Sequence, residues 1–264
     1  MKNKLIIFAL LTFFVSIHAN EQLLENLQKL QQAYPDHIHE VNEDYVIWSD
    51  GSYMKVEDGN ITKSGMEKLN NPSLADQVNQ ARYISGIIDA PQSDPGRIRY
   101  EPFFRKMYGN SPEEVENNLE KIDWMPRIFG VGTYRLKVTK INNVHEKLIL
   151  ISEELEDLVL QHPEFLPFLI NPGGTYNWRM IANTNRLSNH SFGMTIDINS
   201  NLAQYWQWDL VKEGLKISEE SELKYHNKVP WEIVLIFEKY GFIWGGKWYH
   251  YDTMHFEYRP ELFE

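Results

Sequence analysis

The residues best suited to metal and proton chemistry lie in two short segments of the chain. In the first, His190 precedes Asp197 by seven residues, with Gly193 between them. Met194–Asn199 alternates apolar and polar residues with a period of two, which predicts a strand that carries Asp197. Because glycine permits a tight entry into a strand, the loop histidine can fold back beside the strand carboxylate. The spacing therefore predicts that one imidazole and one carboxylate meet.

The second segment, Asp252–Glu257, supplies another imidazole and two more carboxylates. Met254–Tyr258 is predicted to be a short strand, on which His255 and Glu257 point to one face. Asp252 lies three residues before His255, on the loop that approaches this strand. We therefore expect His255 to lie beside His190 and Asp197, where the three side chains could bind one metal ion. Asp252 should lie close to that ion.

Two neutral imidazoles and one carboxylate are a zinc ligand set that leaves one tetrahedral position open for water. Zinc lowers the pKa of such a water to about 7, and a nearby carboxylate can then take its proton. We predict that His190, Asp197 and His255 hold the metal and that Asp252 stays unligated as the catalytic base. Taken singly, a histidine suits a structural hydrogen bond and Asp197 a solvated strand face. Their combination favours the metal site.

The composition limits which residue types can bind a metal and which molecules the protein can bind. The 264 residues include no cysteine, which excludes thiolate ligands and disulfides and leaves His, Asp and Glu as metal ligands. The formal charge of −11 disfavours nucleic acid and anionic lipid as partners. An acidic substrate would need a local cationic group in the site. Nothing in the sequence indicates an oligomeric state.

The first 19 residues are typical of an export signal. Lys2 and Lys4 precede an apolar run from Leu5 to Ile17, and Ala19 offers a small residue for cleavage. The run is shorter than the roughly 20 residues that span a bilayer, so we expect no stable membrane span after cleavage. An uncleaved anchor is the alternative. We expect an exported protein, in the periplasm or outside the cell. Its net charge after cleavage is −13, because a chain of charge −11 loses two lysines.

Local patterns predict helices and strands in an irregular order. The predicted helices are Glu21–Ala33, Asp76–Tyr83, one that starts at Ser111 and Pro112, Val144–Gln161 and Trp231–Tyr240. The predicted strands are a hairpin over Tyr45–Val56 that turns at Asp50 and Gly51, then Gly130–Ile141, and the two segments that carry Asp197 and His255. Because no regular strand–helix–strand units occur, we predict an α+β fold. A small antiparallel sheet with flanking helices carries the zinc site, and an N-terminal extension precedes it.

Proline and glycine at Pro91, Pro95 and Gly96 place a domain boundary near residue 95. We predict a signal peptide over 1–19, an N-terminal region with a helix and a hairpin over 20–95, and the domain with the zinc site over 96–264.

The two motifs also resemble those of a known family. Ser188, His190, Gly193 and Asp197 form the pattern Ser-x-His-x-x-Gly-x-x-x-Asp, which is followed by Asp-x-x-His-Phe-Glu from Asp252. This combination resembles peptidase family M15, which contains D-alanyl-D-alanine carboxypeptidases and dipeptidases and L-alanyl-D-glutamate endopeptidases.

The endopeptidase branch is the more similar, because the second motif starts with Asp where other branches have Glu. Gly173–Arg179, Phe242–Gly246 and Trp248 also resemble that branch. The resemblance covers roughly residues 165–260 and leaves the first 150 or so unaccounted for. Ile196 stands where a small residue is usual before the ligand Asp, a difference that concerns packing and not ligation.

The resemblance implies zinc on the three predicted ligands, Asp252 as base, and a cation that stabilises the tetrahedral intermediate. Arg179 is the preferred cation because it lies in the matching segment, and Arg186 is its competitor and a substrate-binding candidate. Ser188 can bind substrate through its hydroxyl or cap a turn. Trp248 can line a substrate groove or pack in the core.

We therefore expect a zinc metallopeptidase that hydrolyses peptide bonds in peptidoglycan stem peptides, as an L-alanyl-D-glutamate-type endopeptidase. Removal of terminal D-alanine, as in a D-alanyl-D-alanine carboxypeptidase, is the alternative. A non-catalytic, zinc-stabilised cell-wall binding module is the alternative of another class. Loss of the base would mark such a module, and Asp252 is present.

Overall fold

The computed structural model describes residues 20–59 and 63–264. The predicted signal peptide over 1–19 lies outside these residues. The described residues divide into two compact units, of which the first contains those up to Gln80 together with Ile98–Tyr100. The second contains Ala81–Arg97 and Glu101–Glu264. The domain boundary placed near residue 95 from the sequence stays a prediction.

The first unit combines a helix, a small sheet and two short helices. These are α1 (20–33), β1 (Ile38–Val41), β2 (Tyr45–Trp48), β3 (Tyr53–Lys55), α2 (Gly65–Asn70) and α3 (Leu74–Val78). The strands form an antiparallel sheet in the order β1-β2-β3. The predicted hairpin is confirmed, because Gly51 takes a left-handed φ of +80° and an Asp50 carboxylate oxygen accepts from the Ser52 N–H. The predicted first helix is confirmed as well.

The second unit carries most of the regular structure. Its helices are α4 (Glu101–Tyr108), α5 (Pro112–Glu116), α6 (Pro126–Phe129), α7 (Val144–Gln161), α8 (Leu166–Leu169), α9 (Trp206–Lys212) and α10 (Trp231–Lys239). Its strands are β4 (Leu119–Asp123), β5 (Arg135–Thr139), β6 (Thr195–Asp197), β7 (Phe242–Trp244) and β8 (His255–Tyr258). Strands β4 and β5 form one antiparallel pair, and β8 lies between β6 and β7 in an antiparallel sheet. The α+β prediction is confirmed.

Several predicted elements have a visible physical cause. Helix α5 begins where Ser111 accepts a hydrogen bond from the Glu114 N–H and Pro112 takes the first helical position. Helix α7 spans the predicted Val144–Gln161, and α10 follows Pro230 as expected.

Two predicted elements are wrong in their extent. The helix predicted over Asp76–Tyr83 ends at Val78, and Tyr83 instead forms a parallel bridge with Phe263. This long-range pairing overrides the local helical pattern. The strand predicted over Gly130–Ile141 is confined to β5, because Gly130, with a φ of +88°, caps α6.

The sheet β6-β8-β7 fixes the direction of the predicted site residues. Helix α10 packs against it through Phe237, whose ring stacks on that of Phe256 with centroids 3.9 Å apart. Since neighbouring residues of a strand point to opposite faces, His255 and Glu257 point away from α10. The register places Asp197 directly opposite His255. Among the residues described, no helix is long and apolar enough to cross a membrane.

Gly245 lies under the loop that carries Asp252, and we predict that Gly245→Ala destabilises the fold. An added Cβ would lie 2.6 Å from the backbone oxygen of Asp252 and 3.1 Å from the ring of Trp248. Relief of such a clash costs about 1–3 kcal/mol of unfolding free energy, measurable by urea titration. The matched control is Gly65→Ala, whose Cβ meets nothing within 4 Å. It should change the unfolding free energy by less than about 1 kcal/mol. Equal stability of the two variants would contradict this packing argument.

Candidate metal centre

The three predicted ligands form one cluster. His190 Nε2 lies 3.1 Å and His255 Nδ1 lies 3.0 Å from the same oxygen, Asp197 Oδ1. One candidate ligand atom from each residue lies within 4.8 Å of the others. Zinc bonds of about 2.0–2.1 Å hold tetrahedral ligand atoms about 3.3 Å apart, so a metal ion fits with small side-chain movements. Two imidazoles and a carboxylate are also a donor set that suits zinc.

His190 is held by the backbone around it. It lies in a short 3₁₀ turn, Asn189–Phe192, where the Ser188 hydroxyl accepts from its N–H. Its Nδ1 lies 3.1 Å from the carbonyl oxygen of Thr175. A carbonyl only accepts, so Nδ1 carries the proton and Nε2 presents its lone pair to the cluster.

Asp197 is fixed by its strand and by the Gly173–Gly174 turn. Its N–H donates to the carbonyl of Gly174 over 3.0 Å, and its carbonyl accepts from the N–H of Gly173 over 2.7 Å. A Cβ on Gly173 would lie 2.9 Å from the Asp197 Cβ, so the turn needs glycine to approach this closely. Burial by itself raises the pKa of Asp197, but His190 and His255 outweigh it and hold the pKa well below its usual range.

His255 lies between two carboxylates. Its Nδ1 faces Asp197 and its Nε2 lies 3.2 Å from Glu257 Oε2. Burial lowers the pKa of His255, but the hydrogen bonds and charges of Asp197 and Glu257 outweigh this effect and raise it to about 10. The position therefore favours positive charge, which is the electrostatic condition for a bound metal cation.

Glu257 connects His255 to a fully buried network. Its side chain accepts from Asn189 Nδ2 over 2.6 Å and pairs with Arg259 Nη1 over 3.1 Å. Arg259 in turn donates to Glu261 over 2.6 Å. The contact between Glu257 and His255 follows the predicted strand face. Asn189 and Arg259 were not predicted, although Arg259 continues the period-two pattern of His255 and Glu257 and could have been found from it.

Asp252 lies beside the cluster and outside it. Its Oδ1 is buried and has no hydrogen-bond partner among the described residues. Burial raises the pKa of Asp252 to about 7, with help from the charge of Asp197 and against the effects of His255 and the Met254 N–H. Its own N–H donates to the carbonyl of Gly245 over 2.9 Å. An unpartnered carboxylate oxygen next to a candidate metal site is suited to accept a proton.

The two candidate cations differ in exposure. Arg179 is exposed, its guanidinium lies 3.4 Å from the carbonyl of Met180, and its charge acts on Asp252 and Tyr205. Arg186 is half-buried, and burial lowers its pKa. Arg179 therefore lies close enough to Asp252 to act on its charge, whereas Arg186 interacts with Arg97, Glu219 and Tyr205.

The other predicted substrate residues have structural contacts. Ser188 is buried and caps the turn that carries His190. Trp248 is buried, donates from Nε1 to the carbonyl of Pro95 over 2.6 Å and packs with its ring 5.6 Å from that of His255. A direct role of either residue in substrate binding stays a prediction. His250, five residues before His255, is held away from the cluster by Asp94, whose carboxylate lies 2.7 Å from its Nδ1.

Comparison with known families finds a match in the same region. Residues 182–258 match a model of peptidase family M15 whose description is D-alanyl-D-alanine carboxypeptidase. The match includes all three cluster residues and Asp252, and it confirms the resemblance to family M15. No curated protein and no solved structure matches the chain.

We predict that Glu257→Gln weakens metal binding about 10- to 100-fold, because groups that orient a ligand histidine contribute this much to affinity. The matched control is Glu261→Gln, which also removes a carboxylate partner of Arg259, whereas the two ring nitrogens of His255 face Asp197 and Glu257. Competition with a chromophoric zinc chelator measures both affinities. An equal loss in the two variants would assign the effect to the Arg259 network and contradict a role in orienting His255.

Proposed function

We propose that this chain, whose residues 182–258 match peptidase family M15, is an exported zinc peptidase that hydrolyses peptidoglycan stem peptides. The preferred bond is that between L-alanine and D-glutamate. The observation that carries the proposal is the unpartnered carboxylate oxygen of Asp252 beside the cluster of His190, Asp197 and His255. The N-terminal apolar run supports export, since peptidoglycan lies outside the cytoplasmic membrane.

The donor set supports zinc as the metal. His190 would bind through Nε2, His255 through Nδ1 and Asp197 through a carboxylate oxygen. Three protein ligands suit a catalytic site, since structural zinc sites use four. The chemistry that zinc supplies when bound in such a set is Lewis-acid activation of a carbonyl group and of a water molecule.

Residues of the chain supply proton transfer, stabilisation of the oxyanion and orientation of a ligand histidine. Asp252 Oδ1 accepts the proton of the attacking water and then delivers it to the leaving amine. Arg179 places a guanidinium near the developing oxyanion, and its exposed position leaves it accessible to a bound peptide. Glu257 keeps the His255 ring in the orientation that turns Nδ1 toward Asp197.

The main alternative uses the same residues on another bond. The matching family model is described by carboxypeptidase activity, which supports removal of a terminal D-alanine. The Asp-x-x-His spacing of Asp252 and His255 supports the endopeptidase reaction. A zinc-stabilised binding module without turnover is the third possibility, and the presence of Asp252 argues against it.

We predict that zinc raises the melting temperature of the protein by about 5–10 °C at 100 times its dissociation constant. Binding to the native state contributes about 2.7 kcal/mol at that concentration. His255→Ala should abolish the shift, because it removes a ligand. His162→Ala is the matched control, since His162 is exposed and pairs with Glu164 away from the cluster. A full shift in His255→Ala would contradict the ligand assignment.

We further predict that Asp252→Asn keeps zinc but loses about 10²- to 10⁴-fold in kcat, the usual contribution of a general base. The assay is mass spectrometry of muropeptides incubated with the zinc-loaded protein. Asp157→Asn, a change at an exposed acid, is the matched control and should keep full activity.

The products decide between the candidate functions. Products with a new carboxyl terminus on L-alanine and a new amino group on D-glutamate support the endopeptidase reaction. Loss of one terminal D-alanine supports the carboxypeptidase reaction. Absence of cleavage by a protein with stoichiometric zinc would contradict the enzyme and favour the binding module.

A further inference from the structure

Arg186 is a half-buried cation whose guanidinium is not fully paired by the residues that the structure describes. Its backbone is fixed, because its carbonyl accepts from the Ile181 N–H over 2.8 Å and its N–H donates to the Thr184 hydroxyl over 3.2 Å. Its guanidinium Nε is buried and has no hydrogen-bond partner in the part of the chain that the structure describes. An unsatisfied, half-buried charged group costs free energy, which an incoming anion would recover.

The carboxylate whose charge acts on Arg186, that of Glu219, is already engaged by another arginine. Glu219 accepts two hydrogen bonds from Arg97, over 2.9 Å and 3.0 Å, and Arg97 also pairs with Asp94 over 3.2 Å. Burial and the charge of Arg97 lower the pKa of Arg186, and Glu219 opposes them. Arg97 is therefore neutralised by Asp94 and Glu219. The charge of Arg186 remains available to pair with the anionic group of a ligand.

Tyr205 lies next to Asp252 and interacts electrostatically with Arg97 and Arg186. It forms an antiparallel bridge with Asp252, flanked by hydrogen bonds from Trp206 to Tyr251 and from Thr253 to Gln204. In this pattern the bridged residues are a non-hydrogen-bonded pair, whose side chains lie close together on one face.

The electrostatics agree with this placement. Burial and then the charge of Asp252 raise the pKa of Tyr205 to about 12, while Arg97 and Arg179 oppose them. Tyr205 also acts on Arg186. The phenol therefore keeps its proton and can donate a hydrogen bond to a group bound close to Asp252 and Arg186.

We propose that Arg186 and Tyr205 form a subsite for a free carboxylate on the substrate residue that follows the scissile bond. The inference rests on the proposed function and deepens it. In stem peptides the D-glutamate is linked onward through its γ-carboxyl, so its α-carboxylate is free next to the L-alanyl bond. A C-terminal D-alanine also has a free carboxylate next to its bond. The subsite therefore suits both candidate reactions, and it supplies the local cation that a chain of net charge −11 needs for an acidic substrate.

The test compares each substrate with its carboxamide. The probes are L-alanyl-γ-D-glutamyl-L-lysine and its glutamate α-amide, and diacetyl-L-lysyl-D-alanyl-D-alanine and its C-terminal amide. Arg186→Gln should raise KM for the cleaved carboxylate peptide about 10- to 100-fold, as expected for a charge-assisted hydrogen-bonded pair. It should leave kcat and the KM of the carboxamide little changed. Arg186→Lys should show a smaller rise, and Tyr205→Phe a rise that is also confined to the carboxylate peptide.

Arg135→Gln is the matched control, because Arg135 is exposed and pairs with Asp123. Melting temperatures show whether each variant is folded. An equal loss of the carboxylate and carboxamide peptides in Arg186→Gln, or no loss of either, would overturn the subsite.

Calorimetric titration separates this inference from the proposed function. Zinc-loaded Asp252→Asn is titrated with the four peptides, with and without Arg186→Gln. If the wild type cleaves none of them, the proposed function fails while the titration still tests the subsite. The subsite is supported if the carboxylate peptide binds more tightly than its amide and Arg186→Gln removes this difference. It is overturned if the carboxylate peptide and its amide bind with equal affinity.

Discussion

The antiparallel pairing of β6 with β8 is the constraint on which the site depends. It places Asp197 opposite His255, 58 positions later in the sequence. The side chains of these two residues thereby come close enough to bind one metal ion. A slip of one residue would turn His255 to the face covered by α10, because side chains alternate along a strand. The stacked rings of Phe237 and Phe256 oppose such a slip, since Phe256 is fully buried against the helix. The apolar contact on one face of the sheet thus fixes the strand register, and the register keeps His255 beside Asp197 on the other face.

Charge on the polar face is balanced in two layers. Nearest the cluster, the carboxylates of Asp197 and Glu257 lie on either side of His255. Behind them Arg259, fully buried, pairs with Glu257 and Glu261 and lies over the ring of Phe104 at 4.9 Å. Buried charges are stable only when paired and hydrogen-bonded, so the three groups depend on each other. This arrangement leaves Asp252 as the carboxylate whose Oδ1 has no such partner among the described residues, which makes it available for proton transfer.

Local sequence patterns were sufficient for what local interactions determine. The extent of α7, the turn at Gly51 and the strand that carries His255 follow from periodicity, capping and turn chemistry. The proximity of His190 and Asp197 could also be predicted, because spacing and strand alternation place the two residues together. Contacts between distant segments could not be predicted in this way. The engagement of Glu219 by Arg97 and the pairing of Tyr205 with Asp252 leave no trace in local periodicity, since they depend on how loops meet. For the same reason Tyr83 was wrongly placed in a helix.

The site proposed here has three residues on one zinc ion, with Asp252 free of the metal. Crystals of the zinc-loaded protein, measured by anomalous diffraction at the zinc absorption edge, should show one strong peak. We expect His190 Nε2, His255 Nδ1 and an Asp197 oxygen at about 2.0–2.2 Å from it and no bond to Asp252. A peak ligated by Asp252 or Glu257, or zinc bound elsewhere while this cluster remains empty, would contradict this assignment.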